Sequence, residues 1–457
     1  MLKSIDPATG RELATFPEAD EAAIEAALAS AWSVRHGWRD AGIAHRTSLL
    51  KAVAGVLRAD KARYASILTQ EMGKPIVEAE GEVEKCAWTA NWIADNAARL
   101  LADEPIDSTA TLSYVRYQPL GVVLAVMPWN FPFWQAFRAG LPALAAGNVM
   151  LLKHASNVPQ AALAIEEVFR EAGLPEGVFQ TLLIGSRAVD RIIEDRRVAG
   201  VTLTGSEAAG ANVASTAGKA LKKSVLELGG SDPFIVLADA DVSAAATVAC
   251  RARNQNNGQS CIAAKRFIVV DEVADEFEKR FASAVGALKV GDPMQRDSQV
   301  GPLARPDLLD ALERQVSESV SMGARVLTGG KRIDGAGNYF APTVLGHVKS
   351  NMPVFREETF GPVAAVIRVK DADEALSLAN DSDFGLGSSI WTADVDRARK
   401  MAEQIEAGMV FVNGMVASDA RLPFGGVKKS GFGRELSAVG IREFTNVQTV
   451  WVGPAKN

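Results

Sequence analysis

The sequence predicts an α/β fold of two doubly wound α/β domains, with a small β element beside them. Three observations carry this reading. From residue 121 to 237, short apolar runs alternate with helical stretches. A second series of the same kind runs from 242 to 412. Two segments, 111–117 and 445–452, instead alternate with period two. Strands alternating with helices imply parallel βαβ units in a doubly wound sheet, whose strands read as continuous apolar runs.

The elements follow in order. Residues 20–100 read as amphipathic helices, with Ala and Leu at helical spacing in 22–31 and 48–57. Gly73-Lys74-Pro75 breaks two of them. Strands are expected at 122–126, 149–152, 179–184, 201–203 and around Val225. Helices are expected between them at 132–146, 160–172, 188–194 and 206–217. In the second series a helix at 242–253 leads into a polar loop. Apolar runs then stand at 267–270, 325–327, 363–367 and 410–412. In such sheets ligands bind beyond the carboxyl ends of the strands. Asn130, Lys153, Ser206 and Glu227 all fall at or just after a predicted strand end. The domain boundary falls near Gly229-Gly230. The predicted division is 1–101 with 120–229 as a dinucleotide-binding domain, 230–439 as a catalytic domain, and 102–119 with 440–457 as the β element.

Composition narrows the function classes. The 457 residues carry a net charge of −6 from 49 basic and 55 acidic side chains. That offers no basic field for nucleic acid. The longest apolar stretch, 121–137, is broken by Pro128, Asn130 and Pro132 and is too short to span a membrane. No apolar signal core or Arg-rich presequence stands at the start, so a cytoplasmic protein is expected. Three widely spaced cysteines argue against a disulfide framework, and four scattered histidines give no metal pattern.

The chemistry is concentrated in a few motifs. Cys261 lies in Asn256-Asn257-Gly258-Gln259-Ser260-Cys261, followed by Lys265 and Arg266. A thiol in a small-residue loop is reachable, and nearby positive charge would lower its pKa and make it a nucleophile. Glu227 stands in Leu226-Glu227-Leu228-Gly229-Gly230. Burial there would raise the carboxylate toward the range of a base near neutrality. Asn130 precedes Phe131-Pro132, an expected helix start. It reads either as an N-cap or as an amide donor to an oxyanion. Gly205-Ser206 follows a strand and opens a helix, where backbone N–H groups can hold a pyrophosphate. Trp134 and Arg138 share a face of the helix after Asn130. Arg138 would clamp a substrate carboxylate or form a salt bridge elsewhere.

Taken together, Glu227-Leu228-Gly229-Gly230 and Gly258-Gln259-Ser260-Cys261 resemble the paired signatures of the aldehyde dehydrogenase superfamily. Pro128-Trp129-Asn130-Phe131-Pro132, Thr204-Gly205-Ser206, Glu358-Thr359-Phe360-Gly361-Pro362 and Pro423-Phe424-Gly425-Gly426 follow the family's order. The resemblance spans nearly the whole chain, and within the superfamily it is nearest to succinate-semialdehyde dehydrogenases. It implies Cys261 as nucleophile, Glu227 as base, and Asn130 with the Cys261 backbone N–H as oxyanion donors. It places Lys153 on the adenosine ribose, Trp129, Gly205 and Ser206 at the pyrophosphate, Glu358 on the nicotinamide ribose and Phe360 near the nicotinamide.

NAD-preferring relatives often carry glutamate where this chain has Ser156, so NADP is the expected cofactor, with NAD admitted. Trp134, Arg138 and Ser418 are the expected substrate contacts. The resemblance further implies that the β element joins subunits into a homodimer or homotetramer, although it also reads as an ordinary edge hairpin. The expected reaction is oxidation of succinate semialdehyde to succinate through a cysteine thioester. Another short aldehyde, a CoA-acylating reaction and a non-catalytic binding protein are the rival readings. Glu227 argues against the CoA-acylating reaction, and the complete set of nucleophile, base and oxyanion donor argues against the non-catalytic one.

Overall fold

The computed structural model describes residues 1–454. Residues 455–457, the end of the expected β element, lie outside the described residues. Four helices open the chain after a short hairpin: Glu21–Asp40, Ile43–Ala59, Lys61–Met72 and Ile76–Leu100. Gly73 ends the third with φ 84, and a Cβ there would stand 2.6 Å from the Pro302 carbonyl oxygen. Only glycine meets both demands.

Six strands form the first large sheet, in the order Gly431–Phe432, Lys223–Glu227, Val198–Thr204, Val122–Met127, Val149–His154, Phe179–Thr181. All neighbours are parallel except the short Gly431–Phe432 edge. The strand order reverses between Val122–Met127 and Val198–Thr204, which makes a topological switch point. Asn130 and Ser206 follow the ends of those two strands. Pro132–Ala146 packs on the sheet as a wholly buried helix.

Seven strands form the second sheet, in the order Arg325–Thr328, Thr343–Gly346, Val363–Val369, Ala264–Val270, Asp232–Val236, Gly387–Trp391, Met409–Val412. Only its Arg325–Thr328 edge is antiparallel. Glu227 ends a strand of the first sheet and Asp232 begins one of the second, so the chain crosses between sheets at 228–231. The buried Asp232 accepts from the Gly387 N–H at 3.0 Å and ties two central strands together.

Thr445–Val452, Leu112–Pro119 and Glu104–Pro105 form a separate antiparallel sheet. Leu112, Val447, Trp451 and Val452 on it are 53%, 62%, 56% and 45% exposed. Among the described residues no helix is long and apolar enough to cross a membrane.

Candidate active site

The Cys261 loop is a short, heavily pinned passage. After the Val242–Asn254 helix, Asn256 and Asn257 take left-handed φ values of 55 and 58, followed by Gly258 at 74. Asparagine tolerates that region better than other side chains. A Cβ at Gly258 would lie 2.4 Å from the Gly361 backbone. Two buried cations hold the loop's carbonyls. Lys265 Nζ donates to Ser260 O at 3.0 Å, Cys261 O at 2.9 Å and Ala263 O at 3.1 Å. Arg253 donates to Gly258 O and, at 3.0 Å, to Ala264 O. Glu78 accepts from the Asn256 N–H at 2.6 Å.

The thiol does not have the lowered pKa expected from its basic neighbours. Cys261 is half-buried, and burial pushes the thiol up to about 12. Arg138 and Lys265 pull it down, but by less than burial raises it. The basic side chains near Cys261 in sequence are spent on carbonyls and structure: Lys265 on the loop, Arg266 on Ser231 O, Leu378 O and Ala379 O.

Asn130 is not a helix cap. The helix begins at Pro132, and its buried first-turn Phe133 and Trp134 N–H groups are both capped by Glu82 Oε1 at 2.9 Å. Gln135 Nε2 donates to Asn130 Oδ1 at 3.0 Å, which turns the Asn130 amide nitrogen toward the cysteine loop. There it donates to Gln259 O at 3.0 Å, leaving its second N–H available.

Glu227 is buried, and neither carboxylate oxygen has a hydrogen-bond partner. Burial, then the nearby Glu435 carboxylate, holds its pKa well above the ordinary carboxylate value. Gly425 leaves room for it: a Cβ there would stand 2.6 Å from Glu227 Oε1.

Arg138 departs from the expectation of a free carboxylate clamp. Its guanidinium is paired with buried Glu435, lies 4.3 Å over the Phe424 ring and donates to Thr204 Oγ1 at 3.2 Å. Of the two readings of this residue, the internal salt bridge is the one formed, although Arg138 still borders the cavity. A guanidinium carries five N–H donors, so the Glu435 pair and the Thr204 bond leave donors on Arg138 unspent.

Cys261 lines two cavities. One, of about 290 Å³, is bordered by Trp134, Arg138, Ser418, Lys85 and Phe424. The other, of about 420 Å³, is bordered by Trp129, Asn130, Lys153, Gly205, Ser206, Glu358 and Phe360. Trp129 and Phe360 meet edge to face at 5.6 Å. Ser206 caps the Glu207–Lys219 helix, whose N-terminus opens on this space. Glu358 accepts from the Gly230 N–H at 2.9 Å and sits 3.5 Å from Lys265. Lys153 is buried, has no carboxylate partner among the described residues, and is held below its ordinary pKa by burial. A lysine, a helix N-terminus, a carboxylate and two aromatic rings around one space are a donor set that fits a dinucleotide. Ser156 is not in that lining; it is exposed in the turn after Val149–His154.

The polar residues on one face of the Ile76–Leu100 helix escaped sequence reading. Glu78, Glu82 and Lys85 recur at helical spacing and point toward the site. That polar stripe was legible, but a charged helix face usually meets solvent. Glu435 and Gln135 carried no signal short of the tertiary contacts themselves, and Lys265, legible as a charge near the thiol, was not legible as the holder of the loop's carbonyls.

Residues 1–450 match the model described as the aldehyde dehydrogenase family. A probable succinate-semialdehyde dehydrogenase [NADP(+)] from Synechocystis sp. is 52% identical over 99% of both chains. A succinate-semialdehyde dehydrogenase [NADP(+)] from Mycobacterium avium is 50% identical over 100% of this chain and 98% of its own. The crystal structure of succinic semialdehyde dehydrogenase from Streptococcus pyogenes, in complex with NADP+, is 39% identical. It superposes with a TM-score of 0.97 over 99% of this chain and 100% of its own.

Proposed function

Since the chain belongs to the aldehyde dehydrogenase family, we propose that it oxidises succinate semialdehyde to succinate with NADP as the preferred electron acceptor. The observation that carries this is the position of Cys261, shared by a small cavity with cationic lining and a larger one suited to a dinucleotide.

In this reading the Cys261 thiol gives up its proton to solvent and the sulfur attacks the aldehyde carbon. The free Asn130 N–H and the Cys261 backbone N–H stabilise the oxyanion. A dinucleotide in the larger cavity supplies the acceptor for the hydride. The thioester left on Cys261 is hydrolysed by water that Glu227 deprotonates. Trp129, Lys153, Gly205, Ser206, Glu358 and Phe360 hold the dinucleotide. Trp134 and Ser418 contact the substrate, and Arg138 stays with Glu435.

Steady-state kinetics with succinate semialdehyde and butanal, each with NADP and NAD, test the reading. The highest kcat/KM is expected for the semialdehyde with NADP; equal or better use of butanal would sink the substrate assignment. Ser156→Glu belongs in the same panel. A carboxylate there would repel the 2′-phosphate and accept from the ribose hydroxyls. With a charged hydrogen bond worth about 1.5–3 kcal/mol, the preference should move toward NAD by roughly tenfold to a hundredfold. Unchanged relative KM values would remove Ser156 from cofactor selection.

The exposed apolar residues of the three-stranded sheet support assembly into a homodimer or homotetramer. Light scattering should return a multiple of 48.5 kDa, and a monomer at micromolar concentration would refute it. A cytoplasmic location fits the three free cysteines; fractionation of the native cells would test it.

A further inference from the structure

We propose that Glu82, neutralised by Lys74, is the positioning residue for Asn130. It holds the first turn of the Pro132–Ala146 helix where the Asn130 amide faces the Cys261 loop, and so sets the rate of the chemical step through Asn130. The proposal rests on the reading of Asn130 as an oxyanion donor and assigns what aims it.

Phe131, the residue before Pro132, has no side chain that can cap a helix. The cap comes instead from another helix. Glu82 Oε1 accepts from both the Phe133 and the Trp134 N–H groups at 2.9 Å. Its other oxygen, Oε2, meets the Lys74 ammonium, and the two side chains are 1% and 2% exposed. A buried carboxylate is costly unless it is paired and hydrogen-bonded, and this one is met by a helix N-terminus on one side and a cation on the other. The Lys74 ammonium also lies 4.2 Å from the centroid of the Phe131 ring. Lys74 and Glu82 therefore grip the chain at Phe131, Phe133 and Trp134, immediately after Asn130.

The grip reaches Asn130 through Gln135. The Gln135 N–H closes the first turn on Phe131 O at 3.1 Å, and its side-chain Nε2 donates to Asn130 Oδ1 at 3.0 Å. A rotation of that turn would carry the Gln135 amide, and the Asn130 side chain with it, off the cysteine loop. The loop is held by the same helix one turn earlier. Glu78 accepts from the Asn256 N–H at 2.6 Å. Asn256 Nδ2 in turn donates to Asn130 O at 2.8 Å and Gln259 O at 2.9 Å. Glu78 and Glu82, on one face of the Ile76–Leu100 helix, thus hold the nucleophile's loop and the donor's turn in one frame.

The test follows single-turnover NADPH formation in the full-length enzyme, held in excess over succinate semialdehyde. Glu82→Asp keeps the charge beside Lys74 but withdraws the carboxylate by one methylene from the two N–H groups. It should slow the single-turnover rate roughly 30-fold, on the scale of a catalytic group misplaced by about 1 Å. In an Asn130→Ala background the same change should cost less than about threefold, because the residue it acts through is gone. NADP affinity, read from quenching of protein fluorescence, should not change. Lys74→Met combined with Glu82→Gln keeps an acceptor for both N–H groups and removes both charges. That double variant should run within about fivefold of wild type, since a buried ion pair can be replaced as a unit at little cost. An equal loss from Glu82→Asp in both backgrounds would overturn the proposal and leave Glu82 a structural residue. So would an unchanged rate in Glu82→Asp, or a double variant as slow as Glu82→Asp. If Asn130→Ala alone leaves the rate unchanged, the oxyanion reading itself fails, before Glu82 is considered.

Discussion

Cys261→Ala is expected to reduce aldehyde oxidation to background, a loss of roughly four orders of magnitude or more, on the scale seen when a covalent nucleophile is removed. No other thiol can take over. Cys86 and Cys250 are buried in helices and line neither cavity. The variant should remain folded and still bind NADP, because the loop is held by Lys265, Arg253 and Glu78 through backbone groups that alanine preserves. Loss of cofactor binding along with turnover would point to a collapsed loop instead. The raised thiol adds a pH signature. With its pKa pushed up to about 12, the free enzyme holds little thiolate at neutrality. Alkylation by iodoacetamide should therefore climb about tenfold per pH unit and show no plateau below pH 9. A plateau near pH 7 would mean the thiolate is already formed in the free enzyme. Normal turnover in Cys261→Ala would end the thioester mechanism altogether.

How far the sequence reaches depends on where the information lies. The Pro132–Ala146 helix and the Thr445–Val452 strand are found at the expected bounds, because proline, glycine and strict alternation are local signals. The strands Asp232–Val236, Thr343–Gly346 and Gly387–Trp391 were not anticipated. They open with Asp-Pro, Thr or Gly-Ser-Ser, and are strands because the sheet buries them. The strand expected over 179–184 stops at Thr181, where its pairing with the Val149–His154 strand runs out.

At the site, Cys261 and Asn130 border one cavity, and Glu227, which lines neither cavity, is near enough for its charge to act on Cys261; each stands at a strand end or in the loop between the sheets. The allegiance of charged side chains is not encoded locally. Arg138 could be read as a clamp from its helix face, yet its partner Glu435 lies nearly three hundred residues away. Lys85 could be read as a solvent-facing lysine, yet Ser418 and Trp134 enclose it. Motif spacing brings Cys261 and Asn130 to one cavity, but it does not assign the ions around them.

Glu227→Gln should separate the two halves of the reaction. Glutamine keeps the volume and removes the proton acceptor, so acylation at Cys261 should survive. Deacylation should slow by roughly two orders of magnitude or more, the usual worth of a positioned general base. In a single mixing experiment the variant should release about one equivalent of NADPH per active site in a burst and then turn over slowly. The wild-type enzyme should show no such halt. The structure gives the reason. Glu227 is buried with both oxygens unpartnered, so it holds no structural hydrogen bond whose loss would confuse the result.

The same burial, reinforced by Glu435, raises its pKa. A raised carboxylate pKa means the base form is complete only above that value and is lost as pH falls through it. Wild-type kcat should therefore fall on acidification with an apparent pKa above the ordinary carboxylate value of 4.5. That apparent value belongs to the Glu227–Glu435 pair rather than to one residue. Where deacylation limits turnover, this acidic limb should vanish in Glu227→Gln. A variant that gives no burst, with chemistry slowed before NADPH release, would show that Glu227 acts on the thiol of Cys261 instead of on water. An unchanged steady-state rate would remove Glu227 from the reaction.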